Sequence, residues 1–132
     1  MIIGIGIDMV DIARMRRELE QGQAGFRETI FSPDEIAYCE SQRYPARHYA
    51  ARFAAKEAFL KALGTGLSGG IAWRDVSVNR DRDGAPQLVL AGVAEAHARE
   101  QGVRDVRLSM THTSDLAMAQ VVLQDQTSSE AE

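Results

Sequence analysis

The stretch PARHYAARFAAKEAFLKALG, residues 45–64, leaves a chain of this size little freedom. Pro45 suits the first turn of a helix and Gly64 suits the position just past its end, so the spacing predicts one helix from Pro45 to Leu63. At about 100° per residue that helix has no clean polar face. Arg52 and Lys56 fall together, flanked by Phe59 and Leu63. Glu57 and Lys61 fall together further round, beyond Phe53 and Leu60 and beside Ala54 and Ala58. A helix apolar on so many sides is expected to be largely buried, where unpaired charge is costly. Spacing alone leaves two readings of those charges open. One is an i,i+4 pair of Glu57 with Lys61 on a solvated strip, a weak stabiliser. The other is an external partner that is itself charged, with Glu57 calling for a cation and Arg52, Lys56 and Lys61 calling for anions. A divalent metal bound to phosphates answers both demands, because Mg²⁺ takes one or two protein carboxylates and completes its octahedron with water and phosphate oxygens.

The second carboxylate that such a metal needs is offered by Asp8. Residues 2–10, IIGIGIDMV, form a bounded apolar run with the β-branched content of a strand. Alternation sets Ile3, Ile5, Ile7 and Met9 on one face and Gly4, Gly6 and Asp8 on the other. The two glycines strip that second face bare, which admits another backbone or a ligand at close range. The plainer role for Asp8 is to cap whatever follows the strand.

The remaining elements follow from local signals. Residues 11–20 read as a helix through Ile12, Met15 and Leu19. Ser32-Pro33-Asp34-Glu35 is a capping box that starts a helix running to about Ser41. A strand is expected over 73–79, a turn at DRDG, a short strand over 87–90 and a helix over 91–101 stopped by Gly102. Two final strands, 106–113 and 116–123, flank a tight turn at Ser114-Asp115. The order β-α-α-α-β-β-α-β-β predicts an α+β fold, mostly antiparallel sheet packed against the long helix. With 132 residues the chain forms one small domain, 1–124, followed by a polar tail, 125–132, expected to be disordered.

Composition narrows the class. Apolar residues make up 45% and charged residues 26%, the balance of a soluble globular protein. A net charge of −4 argues against nucleic acid as a partner. The apolar start is short and interrupted by Asp8, so neither a signal peptide nor a membrane span is expected. Cys39 is alone, which excludes a disulfide framework; it is expected half-buried on a helix, in a reducing, cytoplasmic setting.

Three segments carry a resemblance. GIGIDMVDIARM at 4–15, FAAKEAFLKALGTG at 53–66 and LSMTHT at 108–113, with AMAQVVL after it, resemble the holo-acyl-carrier-protein synthase class of small bacterial 4′-phosphopantetheinyl transferases. IFSPDEIAYC at 30–39 and DGAPQLVL at 83–90 also match, so the resemblance runs from Met1 to about Leu123. It implies that family's fold and its Mg²⁺-dependent transfer of 4′-phosphopantetheine from coenzyme A to a serine of apo acyl carrier protein. Asp8 and Glu57 match its metal ligands, and Lys61 matches a catalytic lysine on the same phosphates. By the same resemblance, Arg52, Lys56, the turn Gly64-Thr65-Gly66 and Thr113 bind coenzyme A. The general base stays open between Glu57 and His112, and His48 is a further candidate for a phosphate contact. Arg14 and Arg17 match the surface that receives an acidic carrier helix, with Arg16 and Arg27 extending it. The segment from Gly22 to Gly25 departs from relatives that place a basic residue there. The resemblance also implies a homotrimer with active sites at subunit boundaries. The alternatives are the same reaction on a megasynthase carrier domain, or a non-catalytic coenzyme A-binding module.

Overall fold

The long helix is the axis of the fold. In the computed structural model, which describes residues 1–127, β1 (Ile2–Asp11) is followed by α1 (Ile12–Gln21), α2 (Phe26–Ile30), α3 (Pro33–Glu40) and α4 (Pro45–Leu63). Then come β2 (Val76–Arg80), β3 (Pro86–Leu90), α5 (Gly92–Glu100), β4 (Asp105–His112) and β5 (Leu116–Gln124). Tyr49, Ala50, Ala54, Ala55, Ala58 and Phe59 of α4 are fully buried, on more than one side of the helix. Gly64 ends it with φ 83°, a conformation that only glycine adopts cheaply.

All strand pairing is antiparallel, in a three-stranded sheet ordered β1-β5-β4 and a separate two-stranded sheet, β2-β3. The glycine face of β1 turns toward α4. A Cβ at Gly6 would lie 1.9 Å from the Ala58 carbonyl oxygen, and one at Gly4 would lie 2.3 Å from that of Ala62. The bare face therefore admits a helix backbone. The isoleucine face points the other way, with Ile5, Ile7 and Met9 at 60%, 52% and 55% exposure. Their register partners on β5 are Val122, Gln120 and Met118, so a largely apolar row runs across that side of the sheet.

The capping box forms as predicted: Ser32 Oγ accepts from the Glu35 N–H, and Glu35 Oε1 accepts from the Ser32 N–H. Glu35 is fully buried, however, and does more than cap. Its Oε1 also accepts from Lys56 Nζ at 2.8 Å, and its Oε2 accepts from the Val78 N–H at 3.0 Å. Lys56 Nζ donates in addition to the carbonyls of Trp73 and Val76. One buried ion pair thus ties α3, α4 and β2 together.

Three expectations change. The five-residue α2 had no start signal in the sequence; it follows Gly25, whose φ is 84°, and has no side-chain cap. Trp73–Asp75, expected in a strand, is a 3₁₀ turn. Cys39 is fully buried, and burial pushes its thiol up to about 12, which leaves it unreactive. Asp125, the first residue of the expected tail, accepts from the amino group of Met1 at 2.7 Å and donates its N–H to the Met1 carbonyl. The rest of that tail from 128 to 132 lies outside the described residues. Among the described residues, no helix is long and apolar enough to cross a membrane.

The glycine contact generates a direct test. Gly6→Ala should cost about 3 kcal/mol or more, because backbone on both sides has to shift. Thermal unfolding would show this as a midpoint lowered by roughly 10 °C; a midpoint within a degree or two of the parent would contradict it.

Candidate active site

Because α4 approaches β1 so closely, Asp8 on the strand meets the α4 side chains that face it. Asp8 Oδ1 accepts from Lys61 Nζ at 2.8 Å, and the same ammonium donates to the Ile7 carbonyl at 3.0 Å. Of the two readings left open for these charges, the i,i+4 pair of Glu57 with Lys61 gives way to this contact across to the strand. The Glu57 carboxyl is held above the usual carboxylate range, first by burial and then by the negative charge of Asp8, with Lys61 opposing. Lys61 is pushed up by its hydrogen bond to Asp8. Asp8 does not cap the next helix. Asp11 does, accepting from the Arg14 N–H at 2.9 Å and so fixing the start of α1.

Asp8 and Glu57 open onto a cleft of about 550 Å³ lined also by Val10, Arg14, Met15 and Phe53. Among the described residues, no cluster of three or more His, Cys, Asp or Glu could hold a metal ion. A carboxyl held up by burial and by a neighbouring carboxylate calls for a cation, and two hard oxygen donors suit one that brings its remaining ligands as water and phosphate. Mg²⁺ fits this donor set, whereas a structural zinc site, with four nitrogen or sulfur ligands, does not.

Lys56 requires a correction. It is fully buried, and its three N–H donors are spent on Glu35, Trp73 and Val76, so nothing remains for a phosphate. Burial lowers its pKa, and Glu35 opposes the shift. Its partner is internal, and the expected coenzyme A contact is withdrawn. Arg52 differs. Although it is 1% exposed, among the described residues it makes one long hydrogen bond, to the His48 carbonyl at 3.5 Å, and its Nε has no partner. Its guanidinium lies 4.3 Å from the centre of the Tyr38 ring, and that of Arg80 lies 4.7 Å from the same ring. Asp34, Tyr38, Arg52, Val78, Asn79 and Arg80 line this second cleft, of about 310 Å³.

Tyr38 and Arg80 were not among the residues expected from the sequence. No periodicity relates a helix tyrosine to an arginine at a strand end, so only the tertiary packing reveals the stack. His48 is pushed down by burial, then by Arg52, His112, Arg80 and Arg47. The His112 ring stands 6.1 Å from that of His48, on β4, the strand at the far edge of the sheet from β1 and Asp8. Thr113 Oγ1 accepts from the N–H groups of Asp115 and Leu116 and so shapes the β4–β5 turn. In the segment after α4, Thr65 Oγ1 donates to the Gly66 carbonyl, and Gly66 has φ 58°. Arg14, Arg16 and Arg17 are exposed on α1. Arg27, half-exposed, lies 3.6 Å from Glu40 and over the Tyr49 ring.

Two lysines five residues apart on one helix should therefore behave differently. Lys56→Met strands a buried carboxylate and is expected to cost about 3–5 kcal/mol. Lys61→Met removes an exposed pair and should leave the urea midpoint close to the parent's. Equal midpoint losses for the two variants would refute the assignment of inner and outer roles.

The comparisons with known proteins agree with this geometry. The family model of the 4′-phosphopantetheinyl transferase superfamily matches residues 4–121. The holo-[acyl-carrier-protein] synthase of Geobacter sp. (strain M21) is 49% identical over 124 residues, spanning 94% of this chain and 99% of that protein. The crystal structure of the holo-[acyl-carrier-protein] synthase from Neisseria meningitidis superposes with a TM-score of 0.82 at 39% identity, covering 94% of this chain and 99% of that one. The Bacillus anthracis synthase in complex with coenzyme A (3′,5′-ADP) gives a TM-score of 0.78 at 33% identity, covering 96% and 99%. With the carboxylate pair, its lysine and the whole topology in place, the chain belongs to the 4′-phosphopantetheinyl transferase superfamily.

Proposed function

We propose that this protein is a holo-acyl-carrier-protein synthase, which moves the 4′-phosphopantetheine arm of coenzyme A onto a serine of apo acyl carrier protein and releases adenosine 3′,5′-bisphosphate. The observation that carries this reading is that Asp8 and Glu57 line one cleft with Arg14, and that Lys61 is hydrogen-bonded to Asp8.

Phosphoryl transfer depends mainly on positioning and on neutralising charge in the transition state. Mg²⁺, held by Asp8 and Glu57, would supply positive charge to the pyrophosphate of coenzyme A. Lys61 lies at the same place, and its ammonium can exchange the Asp8 carboxylate for a phosphate oxygen. The serine oxygen forms the new bond to the β-phosphorus while the bond to the bridging oxygen of the adenosine bisphosphate breaks. Glu57 would accept the serine proton, directly or through a water. His112, beside His48 and across the sheet from Asp8, fits a phosphate contact better than the role of base.

The second cleft suits the other phosphate of the donor. Arg52 and Arg80, with His48 adjacent, offer cationic donors for the adenosine 3′-phosphate. The carboxylate cleft and the arginine cleft share no lining residue. A homotrimer with active sites at subunit boundaries would place one copy's arginine cleft beside another's carboxylates. It would also cover the exposed Ile5, Ile7 and Met9 row. The exposed arginines of α1 supply a docking surface for an acidic carrier helix. Use of coenzyme A goes with a cytoplasmic location.

The reaction is tested by incubating the protein with apo carrier, coenzyme A and Mg²⁺ and weighing the carrier by mass spectrometry. A gain of one phosphopantetheine, lost on chelation, is expected; an unmodified carrier would refute the reading. Asp8→Asn and Glu57→Gln should each lower kcat/KM by about 100-fold or more, with unchanged circular dichroism. Arg14→Glu should raise KM for the carrier by roughly tenfold and leave KM for coenzyme A unaltered. Equal changes for both substrates would show that Arg14 acts on the fold instead.

A further inference from the structure

The buried Glu35–Lys56 pair lies under the arginine cleft, and the chain geometry links the two. Glu35 is on α3, Lys56 on α4, and the Val78 N–H that completes the Glu35 carboxylate is on β2. Each element then supplies one member of the stack a short step away. Tyr38 follows Glu35 by three residues on α3, and Arg52 precedes Lys56 by four on α4. Arg80 follows Val78 by two on β2. Steps of three and four on a helix, and of two on a strand, return to the same side of the element. Wherever the ion pair sets its three anchors, the ring and the two guanidinia follow.

Arg80 donates from its guanidinium to the Gly84 carbonyl in the turn after β2, so its own hairpin holds the side chain and the ties of β2 to the helices set where that hairpin sits. The two-stranded sheet that carries it shares no ladder with the three-stranded one. The polar ties from β2 to the helices are the Glu35 carboxylate, the Lys56 ammonium on the Val76 carbonyl, and a hydrogen bond between the hydroxyls of Ser77 and Ser32. An apolar pair of equal volume would hold the three elements together as well. What it would lack is direction, because a carboxylate accepting from a fixed N–H on one side and an ammonium on the other sets orientation. The pair is also neutral as a whole, so Lys56 does not add a third cation beneath Arg52 and Arg80. Among the described residues, Asp34 is the only carboxylate lining the cleft itself.

We propose that Glu35 and Lys56 are positioning residues for the Arg52–Tyr38–Arg80 stack, and through it set the preference for a donor that carries a 3′-phosphate. This rests on the transfer reaction and on the placement of that phosphate given above. The test measures KM for coenzyme A and for 3′-dephospho-coenzyme A, with apo carrier and Mg²⁺, in the parent, in Glu35→Gln and in the double variant Glu35→Gln/Lys56→Gln. The parent should favour coenzyme A by at least about tenfold in KM. In both variants KM for coenzyme A should rise by about tenfold while that for the dephospho donor stays within about twofold, so the preference collapses. The ratio is insensitive to partial unfolding, since unfolded molecules lower the apparent kcat for both donors and leave each KM unchanged. The double variant removes any effect of a lone buried ammonium. Equal changes for both donors, or an unchanged ratio, would overturn the proposal. A parent without preference would overturn the phosphate placement and this proposal while leaving the transfer reaction standing. Transfer from neither donor would overturn all three.

Discussion

The contact between the bare face of β1 and the backbone of α4 is the constraint on which the rest of the structure depends. Any side chain at Gly6 would collide with the Ala58 carbonyl, so the strand and helix can approach this closely only because Gly4 and Gly6 have none. That separation brings Asp8 within reach of Lys61 and into the field of Glu57. A wider gap would leave two exposed acids and a lysine with no common task. The meeting of Asp8 with Lys61 is thus a consequence of backbone packing, and the outward turn of Ile5, Ile7 and Met9 is its counterpart on the other face.

Charge on α4 is divided by the side of the helix it occupies. Arg52 and Lys56 point inward, where desolvation is severe, and only Lys56 is fully compensated there by Glu35 and two carbonyls. Arg52 keeps an unpartnered Nε against the Tyr38 ring, the kind of unmet donor that an anion satisfies. Glu57 and Lys61 emerge toward β1, where water and ligands reach them. Although the chain carries a net charge of −4, it gathers cations locally, with Arg52 and Arg80 at one cleft and Arg14, Arg16 and Arg17 on α1.

Much of the fold was legible in the sequence because its signals are local. Pro45 and Gly64 bracket α4, the Ser32–Glu35 box starts α3, and the bounded β-branched run marks β1. The five-residue α2 escaped because neither a cap nor an apolar period announces it; its neighbours hold it. Asp8, Glu57 and Lys61 could be named from the motif that contains them. The role of Lys56 could not, because a lysine inside that same motif looks identical whether it faces a ligand or a buried glutamate.

By itself the sequence determined which segments become helix and strand, that α4 must be buried, and which side chains could do chemistry. Those properties depend on periodicity, capping and residue type, all of which act within a few positions along the chain. Only the tertiary structure decided that Lys56 belongs to Glu35 and Lys61 to Asp8, and that Tyr38 and Arg80 join Arg52. Partnerships between distant residues arise when elements dock, and docking is settled by shape and desolvation across the whole domain rather than by any local pattern.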